Sequence, residues 1–480
     1  MSNPIPPGHE PQCHDFQAGA KKALDNKVLQ ALLERTLKSG FQQRRLNAKA
    51  RLPEYDQLRD QARDLKNHVL DNLDVYLERF EAQLTKAGGH VHWAKDAAHA
   101  REIILKICQD AGAKTVSKGK SMIGEEIALN DFLDANGVVP IETDLGEYII
   151  QLRHELPSHI IAPAFHLSKE QVGETFKEHH THLDQDRDLS EPSVLLGEAR
   201  AELRDKFLRA DVGITGANIL IAETGTAMIV TNEGNGDLTQ SLPPVHIALT
   251  SIEKVVPTLE DATLILRLLA RTATGQEQTV YNTFFTGPKR QGDLDGPEAF
   301  HVVLLDNGRT DLLGSEFRDV LRCIRCGACI NHCPVYAVTS GHAYGWVYPG
   351  PIGAVLSPHF VGLDEAHLLP SASTLCGRCE EVCPVHIPLP DLLRHWRTRG
   401  FAAKKGGKMQ RLGLALWAQL ARRPGLYHAV MALGVNGLKL MGGKRGAFKS
   451  LLGAGGWTKT RDLPTPQGGT FQARYRKGER

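Results

Sequence analysis

No hydrophobic run in this 480-residue chain is long enough to cross a membrane, because no 18 consecutive residues are both apolar and uncharged. Residues 1–10 also lack the basic start and apolar stretch of a signal peptide. The 41% of apolar and 23% of charged residues are typical of soluble globular proteins, and they exclude a fibrous or largely disordered chain. These observations predict a cytoplasmic protein and disfavour an extracellular one held together by disulfides.

Cysteines are scarce in most of the chain and concentrated in one stretch. Seven of the nine lie between Cys323 and Cys383, whereas Cys13 and Cys108 are isolated. In a chain without an export signal, clustered cysteines indicate metal ligands, not disulfides. Cys108 lies among apolar residues of a predicted helix, so we expect it to be a core residue.

The first cysteine motif follows the C-x2-C-x2-C-x3-C-P spacing of bacterial ferredoxins, with Cys323, Cys326, Cys329 and Cys333-Pro334. Three thiolates spaced three residues apart can reach three corners of one [4Fe–4S] cube from a tight loop. Gly327 lets the backbone wrap closely around the inorganic sulfides, and backbone N–H groups can donate to the sulfurs. In two-cluster modules the fourth cysteine binds the other cluster, which predicts a second motif.

That second motif is C-x2-C-x3-C-P, formed by Cys376, Cys379 and Cys383-Pro384. We therefore predict that Cys323, Cys326, Cys329 and Cys383 bind cluster 1, and that Cys333, Cys376 and Cys379 bind cluster 2. Ser373 stands where an eighth cysteine is missing. Two [4Fe–4S] clusters are the preferred prediction, with Ser373, water or another group at the open iron, and a [3Fe–4S] cluster 2 is the alternative. A pair of zinc sites is disfavoured, because each zinc needs four ligands, whereas seven cysteines with two Cys-Pro endings fit iron–sulfur cubes better.

The rest of the chain predicts an α/β domain between two helical regions. Apolar residues at steps of three and four over 58–84 predict one long amphipathic helix, ended by Gly88-Gly89, within a helical segment 1–85. Short apolar runs alternate with helical stretches over 86–305, which is typical of an α/β fold. Its predicted strands are 91–94, 115–116, 137–141, 212–222, 228–231 and 301–305, and its predicted helices are 97–109, 123–135 and 259–271. A mainly helical cluster domain, 306–400, and a tail, 401–480, follow.

Six short stretches, together with the seven cysteines, resemble the lactate utilisation protein B family over residues 60–400. They are Ser117–Met122, Glu142–Glu147, Ile214–Asn218, Ala222–Thr226, Asn232–Asn235 and Asp306–Arg309. The resemblance implies a lactate-utilisation (LUD) domain, similar in fold to sugar-phosphate isomerases and CoA-transferases, followed by a dicluster ferredoxin domain. The family's cluster ligands map onto the same seven cysteines.

The same resemblance implies an electron-carrier subunit that acts with two partner proteins in the oxidation of L-lactate to pyruvate. Its electron acceptor would be a quinone pool or a further subunit. The catalytic residues stay unassigned. One alternative stays open, in which the LUD domain is itself an enzyme acting on a small anion and the clusters are its redox relay.

Several weaker motifs carry alternatives. The stretch from Gly112 to Ser121 is not a P-loop, because six residues separate Gly112 from Gly119 where the pattern needs four. Ser117–Ser121 is either a loose anion site or a plain strand-to-helix turn. Asn218 and Glu223 either line a ligand cleft or belong to hairpin turns, with equal weight.

Histidines and acidic runs are expected on the surface. The group His179, His180 and His182 with Glu178 could bind a metal, but a solvated surface is the preferred interpretation. Glu125-Glu126 and residues 184–188 are predicted to be exposed charged faces.

The last 80 residues nearly lack acidic side chains. Residues 401–480 hold 16 Lys and Arg against 2 Asp and Glu, a net charge of +14, whereas the first 400 residues carry −12. We predict helices over 412–420 and 426–440 and expect them to pack on the cluster domain, while the end after Lys444 is attracted to an anionic partner or to the inner face of the membrane. Partial disorder is the alternative. No nucleic-acid partner is predicted, because no helix-turn-helix or stacking aromatic pattern is present.

Overall fold

The computed structural model describes residues 9–442, 445–451, 455–458 and 461–478. The N-terminal region is helical, as predicted, and a π-helical stretch, Arg35–Gln42, joins its second and third helices. Its helices are α1 (Phe16–Asp25), α2 (Lys27–Glu34), α3 (Gln43–Ala50), α4 (Tyr55–Asp71) and α5 (Leu73–Lys86).

The next region is an α/β domain, as predicted. In chain order its elements are β1 (His90–Ala94), α6 (Ala97–Asp110), β2 (Thr115–Lys118), α7 (Met122–Glu126), α8 (Leu129–Ala135), β3 (Val139–Glu142), α9 (Leu145–Leu152), α10 (Lys169–His179), α11 (Pro192–Arg209), β4 (Val212–Gly216), β5 (Ile219–Ile221), β6 (Thr226–Thr231), α12 (Asn235–Ser241), β7 (Val245–Ser251), β8 (Val255–Val256), α13 (Leu259–Ala273), β9 (Tyr281–Phe285) and β10 (Ala299–Leu305).

The main sheet has six parallel strands in the order β1-β10-β7-β4-β2-β3. From β2 the chain goes to β3, at one edge of the sheet. It then crosses to β4, on the other side of β2, and continues through β7 and β10 toward the opposite edge. The strand order therefore reverses between β4 and β2. In open α/β sheets, loops that follow neighbouring strands at such a reversal part and leave a crevice at the carboxyl ends of the strands. A second, mixed sheet has the order β8-β5-β6-β9.

Short helices, and no strand, occupy residues 306–403, all of which the structure describes. They are α14 (Arg309–Leu313), α15 (Ala328–Asn331), α16 (Tyr336–Thr339), α17 (Gly350–Phe360), α18 (Leu363–Ala366), α19 (Arg378–Glu381) and α20 (Leu389–Ala402). This helical arrangement agrees with the prediction for the cluster domain.

One compact unit extends to Ala403, and a second begins at Lys404. A continuous apolar core in the first unit contains Leu33 of the N-terminal region, Ile221 of the α/β domain and Ile330 between the cysteines. Three regions that differ in sequence character are thus packed around shared apolar contacts.

Two predicted helices are interrupted. The helix expected over 58–84 breaks at Asn72, whose side-chain amide donates to the His68 carbonyl and so ends α4. The helix expected over 123–135 breaks at Ala128, which has a φ of 49°. Arg101 of α6 donates a hydrogen bond to the Ile127 carbonyl, just before that break. The apolar spacing continues through both breaks, which is why it predicted single helices.

The second unit contains α21 (Lys408–Ala421), α22 (Pro424–Gly442), β11 (Ala447–Phe448), α23 (Gly455–Thr458), β12 (Leu463–Pro464) and α24 (Phe471–Arg476). The helices α21 and α22 confirm the two predicted tail helices. Helix α21 buries none of its residues, and large apolar side chains such as Leu416 and Trp417 are exposed. Lys444, where the predicted electrostatic segment begins, lies outside the described residues. Within the described ranges, no helix is long and apolar enough to span a membrane.

Candidate iron–sulfur centres and an adjoining cavity

The seven clustered cysteines come together around α15 and α19. All are free thiols, and their electrostatic effects on one another separate two sets. After burial, the Cys383 and Cys323 thiols are the main groups that raise the pKa of Cys326. After burial, Cys333 and Cys376 do the same for Cys379. The pKa of Cys329 is raised first by burial, then by Cys323, Cys326 and Cys383 of its own set and by Cys379 of the other set.

Tight loops hold these thiols close to backbone donors. Gly327 and Gly377 immediately precede α15 and α19 and have φ values of 70° and 81°, a left-handed conformation that favours glycine. Arg325 N donates to Cys323 Sγ and Ile387 N donates to Cys383 Sγ, both at 3.4 Å. Such N–H···S bonds stabilise the thiolate form, which is the form that binds iron.

Burial has the opposite effect to these hydrogen bonds, because it favours the neutral thiol over the thiolate. It is the first cause that raises the pKa of Cys383 to about 11 and that of Cys379 to about 12. Cys376 is exposed, and its pKa is lowered, first by a hydrogen bond with the Thr374 hydroxyl. Buried thiols gathered in this way become thiolates only when a cationic centre compensates their charge.

The cysteine sulfurs do not form a tight tetrahedral group among the described residues. In a tetrahedral zinc site, ligands at about 2.3 Å from the metal lie within about 4 Å of one another. In the part of the chain that the structure describes, no three cysteine sulfurs lie within 4.8 Å of one another. A cluster binds each thiolate to a different iron, which places the sulfurs farther apart. The donor set is therefore compatible with iron–sulfur chemistry.

The fourth ligand of cluster 2 stays a prediction. Ser373 Oγ accepts a hydrogen bond from Leu375 N at 3.1 Å, so this hydroxyl already has a backbone partner. Thr374, not Ser373, makes the hydroxyl contact with Cys376. Thr374 was not among the residues predicted from the sequence.

Arginines from the N-terminal helices hold the second cysteine loop. Arg59 of α4 donates to the Cys383 carbonyl through Nε at 3.1 Å and through Nη2 at 2.8 Å. Arg45 of α3 donates to the Val382 carbonyl at 3.3 Å. The cysteine spacing did not reveal these residues, because more than 300 positions separate them from the loop.

Glu125 and Glu126 are buried, and the prediction that they form an exposed charged face is wrong. Each has a buried cationic partner, which offsets the cost of burying a carboxylate. Lys118 pairs with Glu125 at 3.1 Å and also with Glu142. Arg309 makes a two-pronged contact with Glu126, at 2.7 and 2.9 Å.

Arg309 also connects the α/β domain to the cysteine loop. Its Nε lies 3.1 Å from Glu253 Oε2, and the other oxygen of Glu253 lies 3.5 Å from Arg325 Nη2. Arg325 stands between Cys323 and Cys326 in the first motif. A chain of ion pairs therefore runs from α7 to the loop predicted to bind cluster 1.

A cavity of about 260 Å³ opens where the strand order of the main sheet reverses. Lys120 and Ser121, after β2, and Gly216–Asn218, at the carboxyl end of β4, form one side, while Arg325 and Cys326 form another. The cavity thus lies between the carboxyl ends of the sheet and the first cysteine motif.

The structure distinguishes the alternatives left open for Asn218, Glu223 and Ser117–Ser121. Asn218 lines the cavity, as the cleft hypothesis proposed, whereas Glu223 accepts a hydrogen bond from Leu259 N at 2.7 Å and lies elsewhere. Ser121 caps α7 by accepting from Gly124 N, and the buried Lys118 is engaged by carboxylates. This result favours the strand-to-helix turn over an anion site at Ser117–Ser121.

The prediction of a solvated histidine surface is wrong for His180, which is buried, whereas His179 and His182 are exposed. His180 lies between the Tyr148 hydroxyl at 2.8 Å and Glu198 at 2.7 Å, and His182 contacts Glu202 at 2.8 Å. Among the described residues, the only candidate trio of metal ligands is Glu155, His166 and His342, which does not include them. Cys108 is fully buried, as predicted.

Comparison with known proteins gives two family matches and near full-length relatives. The LUD domain family matches residues 77–305, and the 4Fe-4S dicluster domain family matches residues 319–387. Lactate utilization protein B of Bacillus velezensis is 42% identical, with 97% of each chain covered, and that of Bacillus subtilis is 42% identical, with 95% of each covered. The uncharacterized electron transport protein YkgF of Escherichia coli is 42% identical over 89% of each chain.

Proposed function

We propose a function from the premise that the chain belongs to the lactate utilization protein B family, as its identity over nearly the whole length shows. It is the iron–sulfur electron-transfer component of a system that oxidises L-lactate to pyruvate. It works with two partner proteins and delivers electrons to a quinone-linked acceptor. The observation that carries this proposal is the pair of thiol sets around α15 and α19. The fold likeness of its LUD domain to sugar-phosphate isomerases and CoA-transferases stays a prediction.

In this proposal Cys323, Cys326, Cys329 and Cys383 bind one [4Fe–4S] cluster, and Cys333, Cys376 and Cys379 bind a second. The mutual influence of the thiols supports this crossed assignment. At the open corner of the second cluster, Ser373, water or another group is the ligand. The alternative for that cluster is [3Fe–4S].

The bound clusters supply one-electron transfer, and the residues of the chain set its conditions. Buried thiols keep water away, and N–H groups such as that of Arg325 donate to the sulfurs. Arg59 fixes the Cys383 carbonyl, so the second loop stays in place. The exposed Cys376 marks the face where a partner protein would come closest to a cluster.

The first experiment is anaerobic purification with iron, sulfide and zinc measured and EPR spectra recorded before and after reduction. We expect about eight irons for two [4Fe–4S] clusters, or about seven with a signal in the oxidised state if cluster 2 is [3Fe–4S]. Cys326→Ser and Cys379→Ser should each lose the irons of one cluster. Cys108→Ala is the matched control, because Cys108 is a buried cysteine outside both sets. Zinc without a redox signal would refute the proposal.

A second experiment separates the carrier from the enzyme hypothesis. The purified chain should not oxidise L-lactate with an artificial acceptor unless its two partner proteins are added. Activity of the isolated chain would favour the alternative, in which the LUD domain acts on a small anion. The cavity beside Cys326 is the observation that supports this alternative.

We also propose peripheral contact of the second unit with the inner face of the membrane. Helices α21 and α22 expose apolar side chains, among them Leu416, Trp417 and Leu433, in a region with a net charge of +14. The full chain should bind vesicles containing phosphatidylglycerol at low salt more strongly than neutral ones. A chain ending at Ala403 should not bind them. Equal binding by both chains would contradict the proposal.

A further inference from the structure

We propose that the cavity between the sheet and the first cysteine motif is a binding site for a small monocarboxylate of the 2-hydroxy or 2-oxo acid class. The choice of that class rests on the proposed function, whereas the site itself rests on geometry. The cavity lies at the carboxyl ends of β2 and β4, where the strand order reverses. Ligands of open α/β sheets bind at this position.

Buried cationic groups with unsatisfied donors point to an anion. Lys254 lines the cavity with only 7% of its surface exposed, and within the described ranges its ammonium group makes no hydrogen bond or ion pair. Arg325 also lines the cavity; its Nη2 lies 3.5 Å from Glu253, but its buried Nε and Nη1 atoms have no hydrogen-bond partner among the described residues. Buried charged donors left in this state are costly, and a carboxylate would satisfy both side chains.

The remaining polar groups limit the charge of the ligand. The cavity is lined by three cations, Lys120, Lys254 and Arg325, and by two carboxylates, Asp144 and Glu233. Asp144 already accepts hydrogen bonds from two amides at the start of α9. Lys120 is already paired with Glu147 at 3.3 Å, and Arg325 lies 3.5 Å from Glu253. Among the described residues, Lys254 is therefore the lining cation without an ion pair, and one such cation suits a monoanion better than a dianion.

The apolar lining favours an organic anion over an inorganic one. Ile160, Ile229 and Leu269 face the same space as the cations. Small-molecule sites typically combine apolar walls with a few polar groups, and 260 Å³ lies below the range for drug-sized ligands. Asn218 adds a polar group: its Oδ1 accepts from Val230 N, and its Nδ2, which has no hydrogen-bond partner among the described residues, can donate to a ligand oxygen.

The position of the cavity gives the ligand a measurable effect. Cys326 belongs to its lining and to the thiol set predicted to bind cluster 1. A carboxylate bound there adds negative charge near that cluster, so binding should favour its oxidised state and lower its reduction potential. By linkage, reduction should weaken ligand binding by the same factor.

The test is titration calorimetry of the anaerobic holoprotein with pyruvate, L-lactate and inorganic phosphate. Pyruvate or L-lactate should bind saturably, and phosphate should not compete. Lys254→Met should weaken binding by about tenfold or more, which is the loss expected for one charge-assisted hydrogen bond. Lys66→Met is the matched control, because Lys66 is also buried but donates to the Glu253 carbonyl and does not line the cavity.

Asn218→Asp provides a second test that preserves shape. Aspartate can still accept from Val230 N, but its charge would repel a carboxylate, so binding should again fall by about tenfold. Absence of saturable binding, equal affinity for phosphate, or unchanged affinity in both variants would overturn the proposal. Iron content and EPR spectra judge the electron-transfer function independently, so failure of the site and failure of that function are distinguishable.

Discussion

Replacing Arg309 by methionine should destabilise the chain strongly, because it breaks the ion-pair chain that links α7 to the first cysteine motif. Arg309 is 1% exposed and is the ion-pair partner of Glu126, which is itself buried. Removing one member of a buried pair costs about 3–5 kcal/mol. Glu126 would keep hydrogen bonds from Tyr348 and Asn307, and Glu253 would keep Arg325, so we expect the lower end, about 3 kcal/mol.

The cost should depend on pH. Burial raises the pKa of Glu253, but Arg309, Arg325 and Lys254 outweigh it and bring the pKa down to about 2. In the natural chain its contribution to stability is therefore present above the unfolded pKa of 4.5 and lost only as the pH falls through about 2. Without Arg309, burial of Glu126 and Glu253 is less compensated, and their pKa values rise. The variant should therefore recover stability as the pH falls from about 8 to about 5.5.

The assay is urea unfolding of the anaerobic holoprotein, followed by the fluorescence of tryptophans such as the buried Trp346 and Trp396. Arg51→Met is the matched control, because the Arg51–Glu277 pair is exposed and should contribute less than about 1 kcal/mol. Adding Glu126→Gln to the Arg309 variant should restore about 1 kcal/mol or more. A cost below about 1 kcal/mol, or one that does not change between pH 8 and pH 5.5, would refute the reasoning.

Three further predictions concern other parts of the first unit. Burial alone would lower the pKa of His9, but Asp131 and Glu125 raise it to about 9. The protonated His9 therefore stabilises the fold by at most about 3 kcal/mol, fully below pH 6.5, and this contribution is lost as the pH rises through 9. His9→Gln should remove this pH dependence of the free energy of unfolding, measured in urea. Arg59→Met frees the Cys383 carbonyl, so we expect faster loss of iron in air than from the natural chain, with an unchanged rate contradicting a holding role. Gly341→Ala would place a methyl group 1.8 Å from the Ser158 carbonyl oxygen and should cost about 2 kcal/mol or more in thermal unfolding, whereas Gly314→Ala meets nothing within 4 Å and should be near neutral.

The features that could be predicted from the sequence are those set by local spacing. The two cysteine motifs follow from intervals of three and four residues, and the α/β alternation follows from short apolar runs. The central strand β7 was not predicted, because it follows two prolines and mixes polar with apolar residues. Its burial in the middle of the sheet depends on β4 and β10, which lie on either side of it.

The charged groups of the candidate site could not be predicted, because each depends on a distant partner. A pair such as Glu125-Glu126 has the composition of a solvated surface, and only the positions of Lys118 and Arg309 show that it is buried. Lys254 has no motif around it. Arg325 did offer a signal, since it stands inside the first cysteine motif, but its role follows from Glu253 and the cavity.

These charges explain why the LUD and cluster regions form one compact unit although two different families match them. The carboxylates of Glu126 and Glu253 belong to the LUD region, whereas Arg309 and Arg325 follow it in the chain. A chain cut after β10 would leave these two carboxylates without the arginines that balance their charge. The cluster region would in turn lose the carboxylates that balance Arg325, next to its own cysteines. Each region therefore depends on the other for the neutrality of its interior, and we expect neither to fold alone.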